Sequence, residues 1–269
     1  MPVRASAHRL PSALLVALWL GPFSARAAAL DPGPCVEPVP AYKPAAGESL
    51  SYRLDIYGVD VGTFELWLDA APASAGPRGT VIGHGRAKTS AFVRANAGRF
   101  EASSMAIVGP GVTAHRYREV VEDGPVHWVQ EIAFPQEGAL HVQATRDGEP
   151  DPVDLPFTGP VRDLYSAFLL LRAAPQTEGA PLCLQTYAMR KLWRMAGEVG
   201  PRETLDTPLG KLETVRLDLV STRLDDASAT RMAKFWVTTD ARRLPVAAIV
   251  EMRGKVFRAQ LVRVTGGKK

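Results

Sequence analysis

Apolar and polar residues alternate with a period of two along most of the chain, the pattern of strands that bury one face. Leu50, Tyr52, Leu54 and Ile56 share a face. After a turn between Gly58 and Gly62, Phe64, Leu66 and Leu68 continue it as a hairpin. The alternation runs on through residues 100–108 and 115–122, where Asp123-Gly124 supplies a positive-φ turn before Val126, Trp128, Ile132 and Phe134. Asp147-Gly148 closes the next strand. Pro150, Pro152, Pro156 and Pro160 then form a link in which strands are expected to stop, because proline removes a ladder donor.

At Asp163 the period changes. Leu164, Ala167, Phe168 and Leu171 fall at helical spacing, Asp163 is placed to cap the first turn, and Pro175 ends the run. Tyr165 and Leu169 widen the apolar stripe, so this short helix is expected to be buried against a sheet. Strands resume over residues 182–205, turn at Thr207-Pro208-Leu209-Gly210, and return with Val215, Leu217 and Leu219 facing inward. Residues 235–238, 245–253 and 255–265 complete the set, with Gly254 as the last turn. The fold class expected is mainly β: a single strongly curved antiparallel sheet or open barrel of about a dozen strands with one short buried helix. The proline link at 150–160 is a possible lobe boundary, but each half alone would leave long unpaired edges, so one domain over residues 48–266 is expected.

The first 28 residues lack alternation and have the order of a secretory signal peptide. Arg4 and Arg9 precede an apolar run from Ala13 to Leu20, and Ala25-Arg26-Ala27 offers a small-residue cleavage site near Ala27 to Ala29. The apolar run is shorter than the roughly 20 residues a membrane span needs, and no later stretch is longer. Residues 29–47 carry five prolines and read as an extended tail. These features place the mature chain in the periplasm or outside the cell. They also change the charge: without Arg4, Arg9 and Arg26, the 32 basic side chains become 29 against 28 acidic ones. So nearly neutral a chain has little pull on polyanions, and no nucleic-acid partner is expected. In an oxidising compartment the two cysteines, Cys35 and Cys183, are candidates for a disulfide, which would contribute on the order of 5 kcal/mol through loop closure.

Linear catalytic motifs are missing from the sequence. His84, His115, His127 and His141 are single residues on different strands, with no H-E-x-x-H or C-x-x-C, although the turn at Asp123-Gly124 leaves His115 and His127 on neighbouring strands. There is no G-x-S-x-G elbow and no S-x-x-K. Asp225-Asp226 lies in a Ser-, Ala- and Thr-rich turn, and Gly83-His84-Gly85 lacks the third glycine and following helix of a phosphate cradle. Arg116-Tyr117-Arg118 and Lys191-Leu192-Trp193-Arg194 interleave aromatic and basic residues as half-buried strands do. No catalytic residue, metal ligand or cofactor is assigned.

Four phrases in order carry a family resemblance. They are Gly47-Glu48-Ser49-Leu50-Ser51-Tyr52 with Gly58-Val59 and Gly62; Asp163-Leu164-Tyr165-Ser166-Ala167-Phe168 through Leu171-Arg172; Arg202-Glu203-Thr204 through Thr207-Pro208-Leu209-Gly210 and Glu213-Thr214-Val215-Arg216; and Trp236-Val237-Thr238-Thr239-Asp240 with Arg242-Arg243-Leu244-Pro245-Val246. Over about residues 46–265 the chain resembles the bacterial exported family called domain of unknown function 3108. The resemblance implies an exported β-rich domain and no activity. The architecture is also similar, by fold-level analogy only, to periplasmic lipoprotein carriers, whose curved sheet holds an acyl chain under a helical lid.

Inward aromatics without catalytic groups lead to the functional expectation of a non-enzymatic factor that binds a lipid or other apolar ligand, or an envelope protein, on the concave face. A hydrolase or transferase with a site assembled from scattered Asp, Glu and His residues, and a structural module pairing through a strand edge, are the alternatives. Phe168 on the helix and Arg243 on the turn after Asp240 are the candidate ligand or partner contacts. Asp240, Arg242 and Arg243 also suit a charge-paired turn.

Overall fold

The structure is a computed structural model that describes Cys35 and residues 45–252 and 255–266. The leader, most of the proline-rich tail and the turn at Gly254 lie outside the described residues. The elements are β1 (Ser49–Ile56), β2 (Val59–Ala70), β3 (Val81–Thr89), α1 (Ala91–Asn96), β4 (Phe100–Gly109), β5 (Thr113–Asp123), β6 (Val126–Ala133), β7 (Gly138–Arg146), β8 (Glu149–Pro150), β9 (Val153–Phe157), β10 (Val161–Arg162), α2 (Leu164–Ala173), β11 (Pro181–Ala188), β12 (Lys191–Thr207), β13 (Gly210–Arg223), β14 (Asp226–Thr238), β15 (Pro245–Met252) and β16 (Lys255–Thr265).

Among the described residues all sixteen strands form one sheet, with β10 at one end, β7 carrying both β8 and β9 at the other, and no ladder closing the two. Every pair is antiparallel except β10 with β11. Positive-φ residues make the tight turns where the sequence places them, at Gly58, Gly124, Asp147-Gly148 and Gly210. β1 pairs with β2 on one side and β16 on the other, so the two halves of the chain meet in the middle of the sheet.

Sixteen strands exceed the dozen expected, and the differences have local causes. β3 escapes the alternation rule because Gly83 and Gly85 occupy inward positions where apolar side chains would stand. A Cβ on Gly83 would lie 2.6 Å from Cδ1 of Tyr165, and one on Gly85 would lie 2.3 Å from its Oη, so the two glycines form the seat of that ring. The proline link does not end the sheet: β9 pairs with β7 alone, and an edge strand tolerates Pro156 while burying Leu155 and Phe157. The stretch 182–205 is two strands turning at Met189 and Arg190, both with positive φ. A second helix, α1, is a six-residue surface turn capped by the Ser90 hydroxyl and buries nothing.

The long-range organiser is α2. Asp163 caps it as expected, accepting from the Tyr165 and Ser166 amides at 2.7 and 3.0 Å and from the Ser166 hydroxyl at 2.7 Å. Burial pushes its carboxyl up while those hydrogen bonds pull the other way. The buried surface extends beyond the expected stripe. Tyr165, Leu169 and Leu170 pack with the cluster of β2–β9, and Ala167 and Leu171 pack with that of β11–β14. Phe168 touches both the first cluster and a third, formed by Leu50, Tyr52, Trp236, Leu244, Val246 and Leu261. Leu164, expected in the core, is 43% exposed because it begins the first turn on the side away from all three.

The last turn of α2 carries a charge into the core. Arg172 is 1% exposed and its guanidinium forks onto both carboxylate oxygens of Glu48, itself buried at the start of β1. The same guanidinium donates to the carbonyls of Arg242 at 2.7 Å and Arg243 at 3.1 Å. Arg243 answers it by donating to the carbonyls of Arg172, at 3.0 Å, and Ala174. Cys35 and Cys183 are joined by a disulfide, with Cα atoms 5.1 Å apart, which ties the tail to β11.

Arg172→Ala is expected to cost about 3–5 kcal/mol, because the Glu48 carboxylate stays buried without its partner. Glu48→Leu with Arg172→Met removes both charges and should recover much of that loss. Urea denaturation of the two proteins checks this. An equal loss in both would place the stabilisation in the carbonyl contacts instead of the ion pair.

Candidate functional site

The inner face of the sheet is the one on which α2 packs, and its apolar residues are fully buried in some rows and half-buried in others. Strand register aligns its side chains in rows. Tyr52 and Leu261 stand opposite each other and are buried. The next row outward runs Leu54, Ala259, Ala248 and Phe235 across β1, β16, β15 and β14. The row after that runs Ile56, Phe257, Val250 and Ala233. Of these eight only Ala233 is buried, and the others are half-buried apolar groups on an inward surface. Phe168 projects from α2 and, like Phe64 and Leu54, packs against the buried cluster that contains Leu50, Tyr52 and Leu261.

The other flank of the open half is built of small residues and one large aromatic. Phe64, Ala87, Ala102, Val121 and Trp128 lie in one row across β2 to β6, all half-buried. The Arg146 and Arg190 guanidiniums lie 5.6 and 5.9 Å from the Trp128 ring. Its Nε1 is buried without a hydrogen-bond partner. The alanines leave space at the wall. Arg231, the next inward position on β14 after Ala233, stacks 3.9 Å from the Trp193 ring, whose own Nε1 donates to the Ala188 carbonyl.

A polar row crosses the inner face beside the helix. Ser104, Glu119 and Gln130 stand opposite one another on β4, β5 and β6. The Gln130 amide donates to the Glu119 carboxylate, and Tyr187 donates to Gln130 at 2.6 Å. Tyr165 shares a 2.7 Å hydrogen bond with Ser104, and Tyr117 bonds to Glu119. Burial pushes the Tyr117, Tyr165 and Tyr187 phenols up, so all three remain neutral near neutrality. The groups are thus hydrogen-bonded to one another across three strands, the helix and β11.

Of the residues expected to contact a ligand, Phe168 stands at the edge of the open face. Arg243 does not. Its guanidinium is half-buried against the C-terminal carbonyls of α2, with the backbone at φ 53°, while Arg242 alone makes the charge-paired turn with Asp240 at 2.9 Å. His115 and His127 are kept apart by register: His127 stands opposite Glu122 near the turn, and His115 lies at the far end of β5, next to the Arg116–Ala133 pair. Asp225 and Asp226 are held by Lys191 and Arg223 on an exposed hairpin turn. Glu119 and Arg231 were not singled out from the sequence. Each is a charged residue at an inward position of an alternating strand, and that misplacement is the signal that could have found them.

A family model described as protein of unknown function (DUF3108) matches residues 51–258. No curated protein is matched by the sequence. Among solved structures the chain is similar to a β-barrel-like protein of domain of unknown function DUF1849 from Brucella abortus, with 11% identity and a TM-score of 0.54 over 85% of this chain and 98% of that one. At that identity the likeness is one of fold. It is also similar to a protein with a YmcC-like fold from Bacteroides fragilis, at 9% identity and a TM-score of 0.37 over 86% of this chain and 100% of that one. No helix among the described residues is long and apolar enough to cross a membrane.

Burial pushes the Glu119 carboxyl up, against the opposing hydrogen bonds from Gln130 and Tyr117. A carboxyl raised in the folded state keeps its proton where the unfolded chain has lost it, so stability falls as pH rises through that window. Glu119→Gln is therefore expected to be more stable than the parent at about pH 8 and similar to it near the unfolded carboxyl pKa, at about pH 4. Urea midpoints at the two pH values check this. A variant less stable at the higher pH would show that the carboxylate is needed as an acceptor.

Proposed function

The chain belongs to the DUF3108 family of proteins of unknown function, and from that premise we propose that it is an exported, non-enzymatic binding protein that holds an apolar ligand on the open half of its inner face. The observation that carries this reading is the pair of half-buried rows continuing the sealed core outward, Leu54 to Phe235 and Ile56 to Val250. Apolar surface on an inward-curving sheet is where a chain of methylenes gains most from leaving water, about 25 cal/mol for each Å² covered. The polar groups beside the face are bonded to one another, which suits positioning better than proton transfer. Export is supported by the leader pattern of residues 1–28 and by the disulfide, which persists in oxidising compartments.

Two measurements test the reading. Organic extraction of the purified native protein followed by mass spectrometry is expected to release a lipid. An environment-sensitive fluorescent fatty acid is expected to bind the parent, to lose most of its affinity for Phe257→Asp, and to bind Leu209→Asp, on the hairpin turn between β12 and β13, as well as the parent. A folded parent that releases no lipid and never binds the probe would overturn the proposal and favour a partner protein on this face.

A further inference from the structure

The two ends of the sheet meet without a ladder, and the reason lies in the sequence of β9. Asp151 donates its amide to the Ala144 carbonyl of β7 at 2.8 Å, and the alternation of N–H directions carries that orientation to Val153, Leu155 and Phe157. The other edge of β9 therefore presents Pro152, Asp154 and Pro156, of which only Asp154 has an N–H to give. At the opposite end of the sheet, β10 covers β11 at Gln185 and Thr186 only. Side chains join the two ends instead. Gln185 donates to the Thr158 carbonyl at 2.9 Å, and Tyr187 donates to Gln130 at 2.6 Å. Arg190 forks onto the Asp151 carboxylate and also donates to the Asp151 carbonyl at 2.8 Å.

These contacts gather at the tip of the β11–β12 hairpin, and the tip is strained. Its two-residue loop, Met189-Arg190, holds both residues at positive φ, 53° and 60°, a turn conformation that Asn-Gly adopts readily and Met and Arg do not. In that conformation Arg190 reaches Asp151, and its guanidinium lies 5.9 Å from the Trp128 ring. Closure also leaves two polar atoms unmet. Trp128 Nε1 and Gln185 Oε1 are buried at this seam without a hydrogen-bond partner, and water would satisfy both once the tip moved away. Against this, Tyr187 and Leu192 are buried in the cluster of β2–β9 with Leu155 and Phe157, so a displaced tip is a minor state. Behind the tip, Trp128 and Val121 belong to the half-buried row of the inner face. Resting on the apolar-ligand reading above, we propose that the β11–β12 tip is a flap, opened when Arg190 leaves Asp151 and Tyr187 leaves Gln130, and that apolar ligands reach and leave the inner face across this seam.

Stopped-flow binding of a dansyl-labelled fatty acid to the full chain tests this. When passage is limited by opening, association and release both scale with the population of the open form. Arg190→Gln is therefore expected to speed both rates by about tenfold, the scale of one charge-assisted fork, with the dissociation constant unchanged. Arg190→Asp combined with Asp151→Arg should bring both rates back towards the parent. Lys191→Gln removes the tie from the same tip to Asp225, which does not cross the seam, and should leave both rates as they are. Parental rates in Arg190→Gln, or faster release alone, overturn the flap and leave the apolar site in place. If Arg190→Gln does not fold, Asp151→Asn carries the same expectation. If the probe does not bind the parent, the apolar-ligand reading fails first, and electron–electron distances between nitroxides on Met189→Cys and Glu149→Cys decide the flap. A second, longer distance whose share rises when Arg190→Gln is added supports it, and one distance unchanged by that substitution overturns it.

Discussion

The buried fork between Arg172 and Glu48 sets the position of everything inside the sheet. An arginine at 1% exposure costs several kcal/mol in lost hydration unless each donor direction is met, and here the carboxylate of β1 and the carbonyls of Arg242 and Arg243 meet it together. Because Arg243 returns two hydrogen bonds to the end of α2, the contact is reciprocal. The helix cannot shift along its axis without uncovering a charge on one side and orphaning carbonyls on the other. Three of the four sequence phrases that carry the family resemblance, those with Glu48, Arg172 and Arg243, converge at this point. Together they hold the end of α2 to β1 and to the turn before β15.

Fixing the helix at its C-terminal end also fixes how much of the inner face it covers. The N-terminal end is held by the Asp163 cap and by the Tyr165 ring on Gly83 and Gly85, so α2 is pinned at both termini. Ten residues at 1.5 Å per residue reach only about 15 Å, which leaves the outer rows of a sheet this size without a covering element. The half-buried residues of β14–β16 and β1 follow from that shortfall. A longer helix would have completed an ordinary core.

The sequence and the structure agree where a feature depends on near neighbours. Period-two alternation, glycine turns, the Asp163 cap and the Pro175 stop are local, and they placed most strands and the central helix. What escaped was decided by partners far along the chain. Gly83 and Gly85 weaken a strand pattern for the sake of a tyrosine some eighty residues away. Pro156 is compatible with a strand only because β9 pairs on one side. Glu48 and Arg172 are 124 residues apart, and no spacing rule joins them. Leu164 fits the helical stripe by count, yet it sits where the first turn emerges from the core. Arg243 is an arginine on a turn by sequence, and only its approach to the α2 carbonyls distinguishes a helix cap from a ligand contact. The rows of the candidate site belong to the same class, since they exist only once the register of four strands is known.

The strand that begins at the ion pair also ends at the open face. β1 carries Glu48 just before its first residue and Leu54 and Ile56 near its last, and it lies between β16 and β2 in the middle of the sheet. The apolar floor on β14–β16 is therefore in hydrogen-bonded register with a strand whose far end is anchored to the helix. A floor held in this way has little conformational freedom left to lose when something binds, which lowers the ordering cost of association. The disulfide adds a covalent tie between the tail and β11, because Cys183 lies near the start of that strand, just beyond the loop that follows α2. The Glu48–Arg172 contact thus holds one end of β1, and the half-buried apolar residues Leu54 and Ile56 lie at the other. For the proposed binding role this matters because a floor held in register by an anchored strand is already close to the shape it would present to a ligand.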